Sequence, residues 1–176
     1  MKRSVSLWQF IGFGFASLFG TLLQFLYEWT GNSLIVAPFS SINESTWEHM
    51  KLLFFPMFIF AIFEYFLFEG REDFWCVKLK GTAVGISLIP ILFYTYNGVI
   101  GKSPDWINIA IFFISAAAAY WLETKWFSKE NKKCISSKWS FLILCVIAVA
   151  FVVFTFITPP IAIFKDPVSG GYGIYA

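Results

Sequence analysis

The chain has 176 residues, 58% of them hydrophobic and 14% charged, with a formal net charge of +2. Soluble domains carry about 25% charged residues, so this composition excludes an ordinary soluble enzyme or binding module. The 23 phenylalanines are too many for one soluble core of this size.

Five segments approach or reach the ~17–25 apolar residues that cross a bilayer. They fall at 5–27, 52–68, 81–100, 106–122 and 139–158, followed by a tail at 159–176. Helices are the spanning elements expected, because a barrel needs alternating strands with polar interior positions. The fold class expected is therefore all-α: one transmembrane domain over residues 1–176, a five-helix polytopic bundle.

The first segment resembles a secretory signal peptide at its start. Its apolar run continues to Tyr27 without an A-x-A site, so an uncleaved first span is expected. Along it, Gly12, Ala16 and Gly20 repeat at i, i+4, the spacing that lets helices approach closely in lipid. That stripe is a candidate docking face for a membrane-protein partner. Gln24 and Glu28 continue it toward the end of the span and would point into the bundle or along its mouth.

Residues 31–41 form a loop with an apolar middle, placed either in the leaflet or over the bundle. Then comes INESTWEHMK, residues 42–51, which holds the single histidine and opens the second span. Ser45-Thr46-Trp47-Glu48 fits a capping box, and so does Ser41-Ile42-Asn43-Glu44 one turn earlier. Capping accounts for Ser45 and one glutamate, and Trp47 reads as an interface anchor. Glu44 and Glu48 share a helix face and repel unless a cation sits between them; Lys51, three residues on from Glu48, is able to supply it. The surplus polar groups make Glu44, Glu48 and His49 candidate catalytic residues, with His49 as general acid or base. Asn43, Ser45, Trp47, Lys51, Asp166 and Tyr172 are candidate ligand-binding residues around them. A divalent metal held by Glu44, Glu48, His49 and Asp166 is a further reading, weakened by the presence of only one histidine. No other cofactor is indicated.

In the second span Glu64 is the one charge expected well inside the bilayer, where a carboxylate is costly. Pro56 and Pro90 lie within spans and are expected to kink them. The connector before the fifth span is basic, and the tail, PPIAIFKDPVSGGYGIYA, reads as an ordered segment folded back on the bundle. Cys76 and Cys134 fall on the inner side and Cys145 within a span, so neither a disulfide nor a thiol metal site is expected.

Orientation follows from basic residues in the loops. Lys2, Arg3, Arg71, Lys78, Lys80, Lys125, Lys129, Lys132, Lys133 and Lys138 fall on one side; Lys51, Lys102 and Lys165 fall on the other. Ten against three places the N-terminus inside and the C-terminus outside, with INESTWEHMK on the outer face. The basic residues read as topology signals and no nucleic-acid motif is present, so the expected partner is the lipid bilayer.

The pattern N-E-S-x-W-E-H-x-K, carried by Asn43, Glu44, Ser45, Trp47, Glu48, His49 and Lys51, is followed by a tail with Asp166, Pro167, Tyr172 and Gly173. Together they resemble an uncharacterised family of small bacterial multi-pass membrane proteins. The resemblance implies a bacterial plasma membrane and supplies no activity. Three functions are therefore expected to compete. One is binding or processing of a lipid headgroup, metal ion or small ligand at the outer face. A second is a non-catalytic subunit of a larger membrane complex. The third is a transporter or ion pathway through Gln24, Glu28 and Glu64.

Overall fold

The computed structural model describes residues 2–68, 71–101, 104–129 and 134–175. Five helices follow one another: α1 (Lys2–Trp29), α2 (Thr46–Leu67), α3 (Phe74–Val99), α4 (Asp105–Phe127) and α5 (Ser137–Phe156). All five are long and apolar enough to cross a membrane, and no β-strand occurs among the described residues. Two 3₁₀ turns, Ala162–Phe164 and Gly173–Tyr175, shape the tail.

The most buried helix is α2, with α1, α3 and α5 packed around it and α4 closing against α1 and α3. Its core is aromatic: Phe54 and Phe151 lie 5.1 Å apart between ring centroids, and Trp47 sits 4.6 Å from Phe151 and 4.5 Å from Phe164. Trp47 is thus packed between α5 and the tail rather than standing as an interface anchor. Both proline-containing helices, α2 with Pro56 and α3 with Pro90, continue through the proline. Neighbouring elements re-satisfy freed backbone groups in a bundle, so an intramembrane proline need not end its helix.

Four of the five helices are longer than the apolar runs that announce them. The second starts at Thr46 instead of 52, the third at Phe74 instead of 81, and the fourth ends at Phe127 instead of 122. The extra turns carry charges that hydropathy discards, yet Lys51, Lys78 and Glu123 are all fully buried inside the bundle. Two of the lysines counted as topology charges are therefore buried in the bundle. Without them the asymmetry is nine to two, and Lys102, Lys132 and Lys133 of that count lie outside the described residues.

Gly12, Ala16 and Gly20 are buried within the chain itself, which corrects their reading as a docking face. A Cβ added at Gly12 would meet Tyr120 at 2.6 Å and Phe60 at 2.7 Å; one at Gly20 would strike Phe112 and the carbonyl of Leu52. The stripe closes α1 onto α2 and α4, so it is already occupied.

A second correction concerns cysteine. Cys76 of α3 and Cys134, in the connector before α5, form a disulfide, leaving Cys145 free. The 58-residue separation gave no spacing signal, and proximity arises only when the α3–α4 hairpin brings both to one end.

The bundle has two polar ends. At the motif end the 31–45 loop and the tail cover the start of α2. Ser40 Oγ accepts the Tyr27 N–H and donates to Leu23 O, while Thr46 Oγ1 and Tyr94 Oη donate to the tail carbonyls of Ile163 and Ala162. The tail is folded back as expected, pinned also by Asn43 Nδ2 donating to Gly173 O at 3.0 Å. Gly173 has φ +68°, and a Cβ there would meet Thr158 Oγ1 at 2.5 Å, so both conformation and space call for glycine. The opposite end carries the basic connectors and is termed the basic end.

Candidate functional site

The INESTWEHMK segment divides into a structural half and an open half. Ser45 is the N-cap of α2, its Oγ accepting the Glu48 N–H at 3.4 Å. The reciprocal half of the expected capping box is absent. Asn43 Oδ1 accepts the Ser45 N–H instead, at 3.0 Å, which frees the Glu48 side chain. Ser41 opens no helix; its hydroxyl donates to Asn43 O.

Glu48 turns inward. Its Oε2 lies 2.5 Å from Lys51 Nζ and also accepts the Ile42 N–H at 3.1 Å. Lys51 Nζ then donates to Ala37 O at 2.8 Å and Thr155 Oγ1 at 3.1 Å. One acid and one base, each with further hydrogen bonds, tie the 31–45 loop, α2 and α5 together. A buried pair survives only with such geometry and full satisfaction of its polar atoms. Lys51 therefore answers Glu48, as its i+3 position allows, but it does not shield Glu44.

Glu44 and His49 form the open half. Glu44 Oε1 accepts from Gln24 Nε2 at 2.9 Å, and Glu44 Oε2 lies 3.5 Å from His49 Nε2. His49 Nδ1 is 3.0 Å from Ser45 O, an acceptor only, so Nδ1 carries a hydrogen. Nε2 then faces a carboxylate. That arrangement is favourable when the imidazole is doubly protonated, or when a hydrogen-bond donor lies between the two groups.

Two cavities meet at Glu44. The larger, about 540 Å³, runs between α1 and α4; Leu52, Ile109, Phe112 and Phe113 form its body, and Gln24, Glu44 and His49 stand at its polar side. A smaller one, about 290 Å³, is lined by Glu28, Asn32, Asn43 and Glu44. Gln24 and Glu44 line both, so their hydrogen bond is the partition. Gly20 also borders the larger cavity.

The remaining sequence candidates are placed as follows. The Asp166 carboxylate serves its own turn, accepting from Val168 N, Ser169 N and Ser169 Oγ at 3.0, 3.1 and 2.6 Å. Partial burial pushes its pKa up, but the Ser169 hydroxyl and the Val168, Ser169 and Glu44 backbone amides outweigh it and hold the pKa below its ordinary value. Tyr172 is exposed and pairs through its backbone with Lys165. Glu44, Glu48, His49 and Asp166 are not gathered as a metal cage: among the described residues, no group of three or more His, Cys, Asp or Glu is placed to hold a metal ion. Gln24 and the exposed Glu28 belong to the motif end. Glu64 lies 16 residues beyond Glu48 on α2, about 24 Å away along the axis, so these three share no site.

Glu64 belongs instead to a cluster that sequence reasoning missed. Lys78 of α3 pairs with Glu64 Oε2 and with Glu123 Oε2 of α4, the latter at 2.7 Å. Gln9 of α1 donates to Glu64 Oε1 at 2.8 Å. All four side chains are buried. Lys78 and Glu123 stand just outside the apolar runs at 81–100 and 106–122, Gln9 lies unremarked inside the first, and the signal available was Glu64 itself: an intramembrane carboxylate demands a partner.

One comparison identifies the lineage. Residues 1–174 match the model of a family of unknown function, DUF6512, and the chain belongs to that family. No curated protein and no solved structure matches the chain. Together with its five apolar helices, this makes it a membrane-type helical protein of an uncharacterised family.

Proposed function

We propose that the protein is a membrane-embedded binding protein whose groove between α1 and α4 takes a lipid, with the lipid headgroup at Glu44 and His49. The observation carrying this reading is the composition of one cavity. Its apolar body of Leu52, Ile109, Phe112 and Phe113 ends in the polar edge of Gln24, Glu44 and His49. A volume of about 540 Å³ lies within the ~300–1,000 Å³ of ordinary ligand sites. An acyl chain gains van der Waals contact by packing against the aromatic wall. The Glu44 carboxylate accepts hydrogen bonds, as does Nε2 of a neutral His49 imidazole, so the headgroup favoured is a donor, an ammonium or a hydroxyl. Glu48 is consumed in its pair with Lys51, which leaves Glu44 and His49 as the residues that touch the ligand.

The side on which this happens is also proposed: N-terminus inside, groove and tail toward the outer leaflet of a bacterial plasma membrane. The nine-to-two distribution of the remaining cations between the two sides supports it. The Cys76–Cys134 disulfide stands against it, because disulfides persist on oxidising sides and this one lies at the basic end. A C-terminal reporter active only outside the cytoplasm decides between the two rules.

Native mass spectrometry of protein released from a mild detergent tests the binding reading. Wild type is expected to retain one amine- or hydroxyl-headed lipid, and Glu44→Ala or His49→Ala to reduce retention about tenfold, the worth of a ~1.4 kcal/mol hydrogen bond. Equal retention by wild type and both variants discards the reading.

A further inference from the structure

The basic-end cluster has a surplus acid. Glu64 and Glu123 share one ammonium, that of Lys78, and no other described cation pairs with either. Arg71 chelates Asp73 and donates to Phe127 O, Lys125 lies over the Trp121 ring, and Lys80 reaches Cys134 Sγ. Two ionised carboxylates on one lysine would leave a full uncompensated charge in the apolar interior, the most costly state available to a membrane helix bundle.

The two acids are not equivalent. Glu64 accepts a hydrogen bond from Gln9 Nε2 at Oε1, and its Oε2 makes an ion pair with the Lys78 ammonium without hydrogen-bond geometry. Glu123 has Lys78 on Oε2 only, and its Oε1 is buried without a hydrogen-bond partner. Two further atoms of the cluster, Gln9 Oε1 and Tyr120 Oη, are also buried and unpartnered. Tyr120 stands one turn from Glu123 on α4, and its ring lies 5.5 Å from Lys78 Nζ. Gly81 is what makes room: a Cβ there would occupy the space of the Glu123 carboxyl group. The backbone has been cut away for this one side chain.

We propose that Glu64, Lys78 and Glu123 form a buried site for one exchangeable proton, carried on Oε1 of Glu123. Loading adds a proton to the Glu123 carboxylate and takes the triad from a net charge of −1 to zero; unloading returns that proton to water. The groups facing the site are Gln9 from α1, Glu64 from α2, Lys78 from α3, and Tyr120 and Glu123 from α4. About one helical turn of α2, α3 and α4, and about two of α1, separate it from the basic end of the bundle. That interval is covered by the rings of Phe68, Phe74 and Phe127, stacked at 5.4–5.9 Å with Arg71 above Phe127. Proton exchange proceeds through this aromatic cover, which Arg71 caps, at the end opposite the lipid groove.

Infrared difference spectroscopy of the full chain in lipid nanodiscs reads the proton directly. Wild type labelled with carboxyl-¹³C glutamate is expected to show, at neutral pH, a protonated-carboxyl band that shifts with the label and disappears on alkalinisation. Glu123→Gln, which keeps the shape of the neutral acid, is expected to lose that band and to release one proton fewer per chain over the same pH change. Glu64→Gln is expected to abolish the band too, but by another route: with one acid left for one lysine, Glu123 stays ionised at neutral pH. Absence of the band in folded wild type overturns the proposal, without need of any variant. So does its persistence in Glu123→Gln, or in Glu64→Gln with unchanged proton release.

Discussion

The two ends of the bundle each bury a lysine, and they use it in opposite ways. At the motif end Lys51 meets one carboxylate, and its other hydrogens go to Ala37 O and Thr155 Oγ1. At the basic end Lys78 meets two carboxylates, and Glu123 Oε1, Gln9 Oε1 and Tyr120 Oη are left without partners. A balanced and fully bonded pair has nothing further to accept, so it acts as a clamp holding loop to helix. An unbalanced cluster with spare atoms has capacity for something more. The same residue type therefore reads as scaffold in one place and as site in the other, and the number of partners makes the difference.

This contrast is open to attack by mutation. Lys51→Met strands Glu48 in the interior and is expected to cost ~3–5 kcal/mol. The double variant Glu48→Gln/Lys51→Met should recover most of it; thermal unfolding of both in one detergent is the measurement. If the single variant is as stable as wild type, the pair is no clamp. Gly81→Ala places a methyl group where the Glu123 carboxyl group sits and is expected to cost ~1–3 kcal/mol through overpacking. The same change at Gly98, which has open space around it, serves as the control, and equal losses at both positions would erase the special role of Gly81. The smallest effect belongs to Asp166. Its pKa is depressed in the folded chain, so its stabilisation is complete above the unfolded value of ~3.9 and fades as pH falls through the folded one. Melting of Asp166→Asn should therefore be flatter than wild type in acid below that point and parallel to it above.

The sequence made the helical class plain, because five apolar runs with Trp and Lys at their borders admit few alternatives. The cap at Ser45 and the folded-back tail were legible for the same local reasons. The partners of Glu48 and Glu64 were only partly so. Lys51 is three residues from Glu48, and spacing alone connects them. Gln9, Glu64, Lys78 and Glu123 span four helices and 115 positions, and no periodicity links residues that meet only after packing. Charge itself obscured them, since lysines near span ends look like topology signals until a carboxylate is found beside them. The groove was hidden likewise: its wall on α4, with Ile109, Phe112 and Phe113, reads as plain lipid-facing surface.

The Cys76–Cys134 bond turns the middle of the chain into a covalent ring that encloses α3 and α4. Lys78 and Glu123 are on that ring, whereas Gln9 and Glu64 hang on the arm that leaves it toward the N-terminus. A tether keeps two groups at high effective concentration even when the rest of the chain has come apart. Lys78 and Glu123 sit on one closed loop of chain, and the second acid comes to them from α2 outside it. The surplus charge is a property of the finished bundle, and the ring alone, with one lysine for one glutamate, is already balanced.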